Sequence, residues 1–99
     1  MGSEITSGCS FYKRVNGPWI EVLVKTAATA DDTDTIVMNL GADYGIKTFE
    51  AIQGFEQSTS GSVIITEPPT TSVTSNVLTI TVGGSNDNKI RIFKVVGLA

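Results

Sequence analysis

From Val77 to Val82 apolar and polar residues alternate: Leu78, Ile80 and Val82 fall on one side, Thr79 and Thr81 on the other. A period of two marks a strand with one buried face. The same alternation runs through Trp19–Thr26, where Ile20, Val22 and Val24 make a core-like side. Trp19, Glu21, Leu23 and Lys25 make the opposite, mixed side. It recurs in Thr35–Leu40, with Ile36, Met38 and Leu40 facing inward, and shorter apolar runs at Ser10–Val15 and Val63–Thr66 predict two further strands. Ile46–Gln57 is ambivalent. Ile46, Phe49, Ile52 and Phe55 recur every three residues, as along a short helix, yet Gly45 and Gly54 oppose a stable one. A strand with a bulge near Gly54 is favoured.

Turn residues separate these runs. Asn16-Gly17-Pro18 tolerates the geometry of a tight turn. Ala27–Asp34 and Gly41–Gly45 read as loops, and Ser58–Ser62 as a turn. Glu67–Ser72 holds two prolines, which lack ladder donors, so it reads as an exposed link. The six residues Gly83–Asn88, with two glycines, suit a hairpin loop joining Val77–Val82 to a final strand, Lys89–Val96. With every connection short, neighbouring strands are expected to be antiparallel.

The final strand does not alternate cleanly. Ile90 and Ile92 share a side with Lys94; Lys89 and Arg91 share the other with Phe93 and Val95. The expectation is that Ile90 and Ile92 face the core. An unpaired Lys94 there would cost on the order of several kcal/mol. Either a bulge near Phe93 shifts the phase, or Phe93 and Val95 are offered to a neighbour. Together with Trp19 and Leu23 they form a candidate protein–protein interface, because apolar groups on two strands opposite the core side make a contiguous patch.

Composition sharpens the class. The chain has 99 residues, a length that suits one domain spanning 1–99, with 1–9 as a flexible start. Valine and isoleucine occur ten times each and threonine thirteen times, against four leucines. Branching at Cβ stiffens χ1 and fits a pleated sheet. The expected fold is all-β: a single-domain antiparallel β-sandwich or partly open β-barrel of about seven strands.

Charge and residue inventory narrow the chemistry. The net charge is −3, which gives no electrostatic footprint for nucleic acid. Lys89–Lys94 is the one basic concentration; with Phe93 it reads as a stacking strand, or more plainly as Lys89 and Arg91 blunting a sheet edge. No run of 18 apolar residues predicts a membrane span, and the first residues lack the basic and apolar regions of a secretion signal. There is no histidine, which removes His-dependent nucleophilic catalysis and ordinary zinc sites. Cys9 is alone and reads as a small apolar filler. Asp31, Asp32 and Asp34 either hold Ca²⁺ or initiate the next strand through Asx-type hydrogen bonds. Among Glu21, Glu50, Glu56 and Glu67 no spacing singles out a catalytic pair. The glycines form no phosphate-binding fingerprint. No catalytic, metal or cofactor residue is therefore expected, no small-molecule substrate, and no enzyme.

Four stretches carry a resemblance: Asn16–Val24, Thr26–Met38, Phe49–Phe55 and Val77–Gly97, in that order along the chain. They resemble small β-rich tailed-phage virion proteins encoded beside the major capsid protein. The resemblance implies a non-enzymatic structural protein of the phage head, of the decoration or cementing type, assembled in the bacterial cytoplasm and located in the virion. Its implied partners are sister copies and the major capsid protein. The alternative is a carbohydrate- or receptor-binding module of a tail or baseplate, for which Trp19 and Tyr44 are the candidate aromatics.

Overall fold

The computed structural model describes residues 2–59, 61–84 and 86–99. Met1, Ser60, within the stretch the sequence reads as a turn, and Ser85, within the one it reads as a hairpin loop, lie outside the described residues. The fold is mostly β: two antiparallel sheets face each other without closing into a barrel. The larger sheet holds β1 (Ser10–Asn16), β2 (Trp19–Lys25), β8 (Ile90–Leu98), β4 (Thr48–Thr59) and β5 (Ser62–Thr66), in that spatial order. The smaller holds β3 (Thr35–Asn39), β7 (Val77–Thr81) and β6 (Thr70–Thr74). The core lies between them, built from Ile20, Val22, Val24, Phe93 and Val95 below and Ile36, Met38, Leu78, Ile80 and Val82 above. These are the apolar sides that the alternation predicts for β2, β3 and β7.

Two elements escape the sequence pattern. β6 occupies part of the stretch read as an exposed link; only Glu67, Pro68 and Pro69 stay outside a ladder. Helix α1 (Leu40–Tyr44) replaces the loop expected at Gly41–Gly45. It is too short to show a period. Its ends are nonetheless marked: the Asn39 side chain accepts from the Ala42 N–H at 3.2 Å, and Gly45 closes the helix at φ 70°. Ile46–Gln57 is largely strand, as favoured, but the irregularity of β4 falls between Phe49 and Ala51 rather than near Gly54.

The connection Gly83–Asn88 is not a hairpin. β7 belongs to the small sheet, whereas β8 enters the centre of the large one, between β2 and β4. Each strand has its own inward side, so the chain crosses from layer to layer instead of folding back. The hairpin that β7 does make is with β6, through Ser75 and Asn76 at φ 50° and 61°. Two successive positive φ values match the twist of paired strands. Ser-Asn lacks the glycine that marks such a turn in a sequence.

β8 has the opposite phase from the one expected. Arg91, Phe93, Val95 and Gly97 face inward; Ile90, Ile92, Lys94 and Val96 face out. There is no bulge at Phe93, and Phe93 and Val95, at 1% and 0% exposure, are core residues, not interface residues. Nor do Lys89 and Arg91 guard a sheet edge, since β8 is paired on both sides. Lys94 lies outward with its ammonium 3.4 Å from Glu21. The strand keeps lysine out of the core by reversing phase, and buries Arg91 instead.

The segment before Ser10, read as flexible, lies along β3. Ile5 N–H donates to the Thr35 carbonyl at 2.8 Å, and Thr35 N–H donates to that of Ser3 at 2.9 Å. The Thr6 hydroxyl accepts from the Val37 N–H at 2.8 Å. Ile5 and Cys9 pack on the core.

Candidate functional site

Two features stand apart from ordinary packing: a buried ionic cluster at one end of the sandwich, and a set of uncovered apolar strands.

The cluster centres on Arg91, the second residue of β8, whose inward phase points it between the sheets at 0% exposure. All five guanidinium N–H groups are used. Nε donates to Glu67 Oε1 at 2.8 Å. Nη1 donates to the carbonyls of Ala30 and Lys89 at 2.9 and 3.2 Å, and Nη2 to those of Gly83 and Asn86 at 3.1 and 2.7 Å. One side chain thereby holds the β2–β3 loop, the β7–β8 loop and the link after β5. Glu56, from β4, completes the site with its carboxylate 3.5 Å from Nη2. Both its oxygens accept from the Asn86 amide, at 3.1 and 3.2 Å. Among the described residues no buried side-chain polar atom lacks a partner.

Glycines make room for this arrangement. Glu67 N–H donates to the Gly54 carbonyl at 2.8 Å, and a side chain on Gly54 would strike the Glu67 carbonyl and the Pro69 ring. On the other flank Gly84, at φ 96°, lies against the Glu67 carboxyl. The two prolines of the link are thus held between β4 and the glycine-rich loop.

Glu56 and Glu67 both face the Arg91 guanidinium, and their titrations move apart. Glu56 is held below the ordinary glutamate value, first by the Glu67 carboxyl and then by Asn86, Arg91 and Lys89, against the opposing effect of burial. Glu67 is pushed above it, chiefly by burial and by the Glu56 carboxyl, against the pull of Arg91. The sequence names both glutamates but not their meeting: they are eleven positions apart, with a turn and a strand between them.

The uncovered strands are at the sheet edges and on the outer face of the large sheet. Val63, Ile64 and Ile65 of β5 are 59%, 59% and 42% exposed, and Val73 of β6 is 45% exposed. Neither strand carries a charge or a proline. Val63 and Ile65 lie on the same side as the core residues of β4, yet the small sheet does not reach over them. Trp19 and Leu23 are exposed on the outer face, as expected. There Leu98 stands opposite Trp19, and Tyr12 and Lys94 flank Leu23. Among the described residues no second layer covers this face.

Other sequence candidates resolve differently. Asp34 is buried, with its two carboxylate oxygens accepting from the Ser3 and Asp31 N–H groups at 2.9 and 2.8 Å. Asp31 accepts from the Asn88 N–H at 2.8 Å. Only the Asp31–Asp34 bond is local; the other two tie this loop to the N-terminal segment and to the β7–β8 loop, in place of the Asx turns expected. Among the described residues no three histidine, cysteine or acidic groups converge as a metal site. Trp19 and Tyr44 do not share a surface: Tyr44 stacks obliquely on Phe11, ring centroids 6.2 Å apart, on the inner side. Cys9 is half-buried, its thiol donating to the Ile5 carbonyl at 3.4 Å, and burial pushes its pKa up to about 11. Two shallow depressions, of about 240 and 280 Å³, lie at Ile5–Ala30 and at Gln57–Lys89. Among the described residues no helix is long and apolar enough to cross a membrane. Comparison of the chain with protein-family models, with curated proteins and with solved structures finds no match.

Proposed function

We propose that this protein is a non-catalytic structural module that works by packing against sister copies and a capsid surface, as a decoration or cementing protein of a phage head. The observation that carries the reading is the pair of uncharged, uncovered edge strands β5 and β6, with Val63, Ile64, Ile65 and Val73 in water. Edges of this kind are ordinarily blunted by lysine, proline or a bulge, because unpaired strand groups template association. Here they are left open beside an outer sheet face that displays Trp19 and Leu23. The buried carboxyls are closed off from solvent and committed to Arg91 and Asn86, so they serve the scaffold in this reading. The phage setting comes from the resemblance of the four sequence stretches described above.

Solution mass by light scattering and co-sedimentation with capsids test this. An oligomer that co-sediments, and that dissociates when Ile64 and Val73 are both replaced by lysine, is the expected result. A strict monomer that leaves capsids bare would overturn the proposal.

A further inference from the structure

The buried cluster holds more carboxyl groups than cations. Among the described residues Arg91 is the one fully buried cation; Glu56 is 1% and Glu67 6% exposed. Were both carboxyls ionised, a net negative charge would sit in a dry site, which is far costlier than a neutral one. The two carboxyls also face one guanidinium, Glu67 Oε1 2.8 Å from Nε and Glu56 Oε1 3.5 Å from Nη2, so a proton on one of them removes the repulsion between two like charges held at the same cation. The surroundings decide which. Glu56 accepts from Asn86 through both oxygens and faces Arg91, and so is built as the anion. Glu67 offers one oxygen to Arg91 Nε and has no amide donor of its own among the described residues.

We infer that Glu56 and Glu67 hold a single proton between them in the folded protein and act as a proton-gated clamp on the Glu67–Pro69 link. With the proton in place, the cluster is neutral and the link is held against Gly54 and Gly84. Without it, the second negative charge opposes the first and weakens the hold on the link, which then rests on Arg91 Nε and the Gly54 carbonyl. The clamp matters to the fold because the link joins the edge strands β5 and β6, and so carries the chain from the large sheet to the small one.

The charged groups around the pair are few. Lys89, at the start of β8, donates its ammonium to the Ser58 carbonyl at 2.9 Å and favours ionised Glu56. From the β2–β3 loop come only the Ala30 carbonyl and the Thr26 hydroxyl, the latter accepting from the Arg91 N–H at 2.8 Å. Asp31 and Asp34 of that loop are turned to backbone N–H groups of Asn88, Ser3 and Asp31 itself. The β7–β8 loop contributes carbonyls and the Asn86 amide.

The direction of the pH effect follows from linkage. Glu67 binds its proton more tightly folded than unfolded. Its stabilisation is whole below the ordinary glutamate value of 4.5 and is lost as pH rises through the folded value. Glu56 is the reverse: its stabilisation is present above 4.5 and is lost as pH falls through its folded value. The cluster therefore stabilises most between the two.

Carboxyl-carbon NMR titration of the folded protein tests the inference directly. Glu67 is expected to titrate above 4.5 and Glu56 below it. Both titrating on the same side would overturn the clamp. Melting temperature is the second measurement. From about pH 5 to about pH 9 the wild type is expected to lose more than Glu67→Gln, whose neutral amide keeps the hydrogen bonds and cannot ionise. Parallel profiles for the two proteins would also overturn it. Should the variant fail to fold, the wild-type titration decides alone.

Discussion

Replacing Arg91 by leucine removes the cation from a site that keeps two carboxyls. The volume is roughly retained, so packing changes little and the electrostatic loss dominates. Removing one partner of a buried ion pair costs about 3–5 kcal/mol, because the other charge is left buried and uncompensated. The carbonyls of Ala30, Lys89, Gly83 and Asn86 also lose their donor. Each orphaned acceptor costs about 1–3 kcal/mol if water cannot reach it. Several of these bonds lie near the surface of the loops, so water recovers part of that cost. Protonation of the remaining carboxylate recovers more. A net loss of about 4 kcal/mol is the expected result, against a total stability of about 5–15 kcal/mol for a domain of this size. The melting temperature should fall by on the order of 20 °C. Urea unfolding followed by far-ultraviolet circular dichroism reads the change; Trp19 fluorescence is a poor probe because the ring is already in water. Arg91→Lys should lie between, since an ammonium supplies three donors in place of five and no planar fork. A loss below about 1 kcal/mol for Arg91→Leu, the level of an exposed ion pair, would refute the argument that this cluster holds the loops.

Phe93→Ala should cost about 3–5 kcal/mol in the same unfolding assay, as for a core aromatic, while Leu23→Ser stays within about 0.5 kcal/mol and instead weakens association measured by light scattering. Gly84→Ala should destabilise by at least about 1–3 kcal/mol, because φ 96° strains any side chain and the new methyl meets the Glu67 carboxyl. Cys9, with its thiol pushed up to about 11, should react slowly with a thiol-specific disulfide reagent at about pH 8 and quickly once urea unfolds the chain.

Much of this protein can be read from local pattern, and the failures share one cause. The inward faces of β2, β3 and β7 follow from alternation alone, since a period of two leaves only one way to bury Ile20, Val22, Val24, Ile36, Met38, Leu78 and Ile80 together. Threonine and β-branched residues already declare the sheets. β8 defeats the same rule because both of its sides are apolar enough to serve as core. Which side turns inward depends on Arg91 finding two carboxyls and four carbonyls, and those acceptors come from β4, the β5–β6 link and two loops. No window of sequence contains them. The same is true of the crossing after β7. A glycine-rich loop of six residues fits a hairpin equally well, and only the packing of two layers sends β8 between β2 and β4. Of the proposed interface residues, Trp19 and Leu23 stay outside because their strand has one unambiguous core side, whereas Phe93 and Val95 move inward with the phase of β8. Sequence by itself determines the β class and most of the strands, though not β6, because propensity and period are local. Tertiary structure alone decides which face of the central strand is dry, because a buried arginine is stable only where distant chain segments deliver its partners.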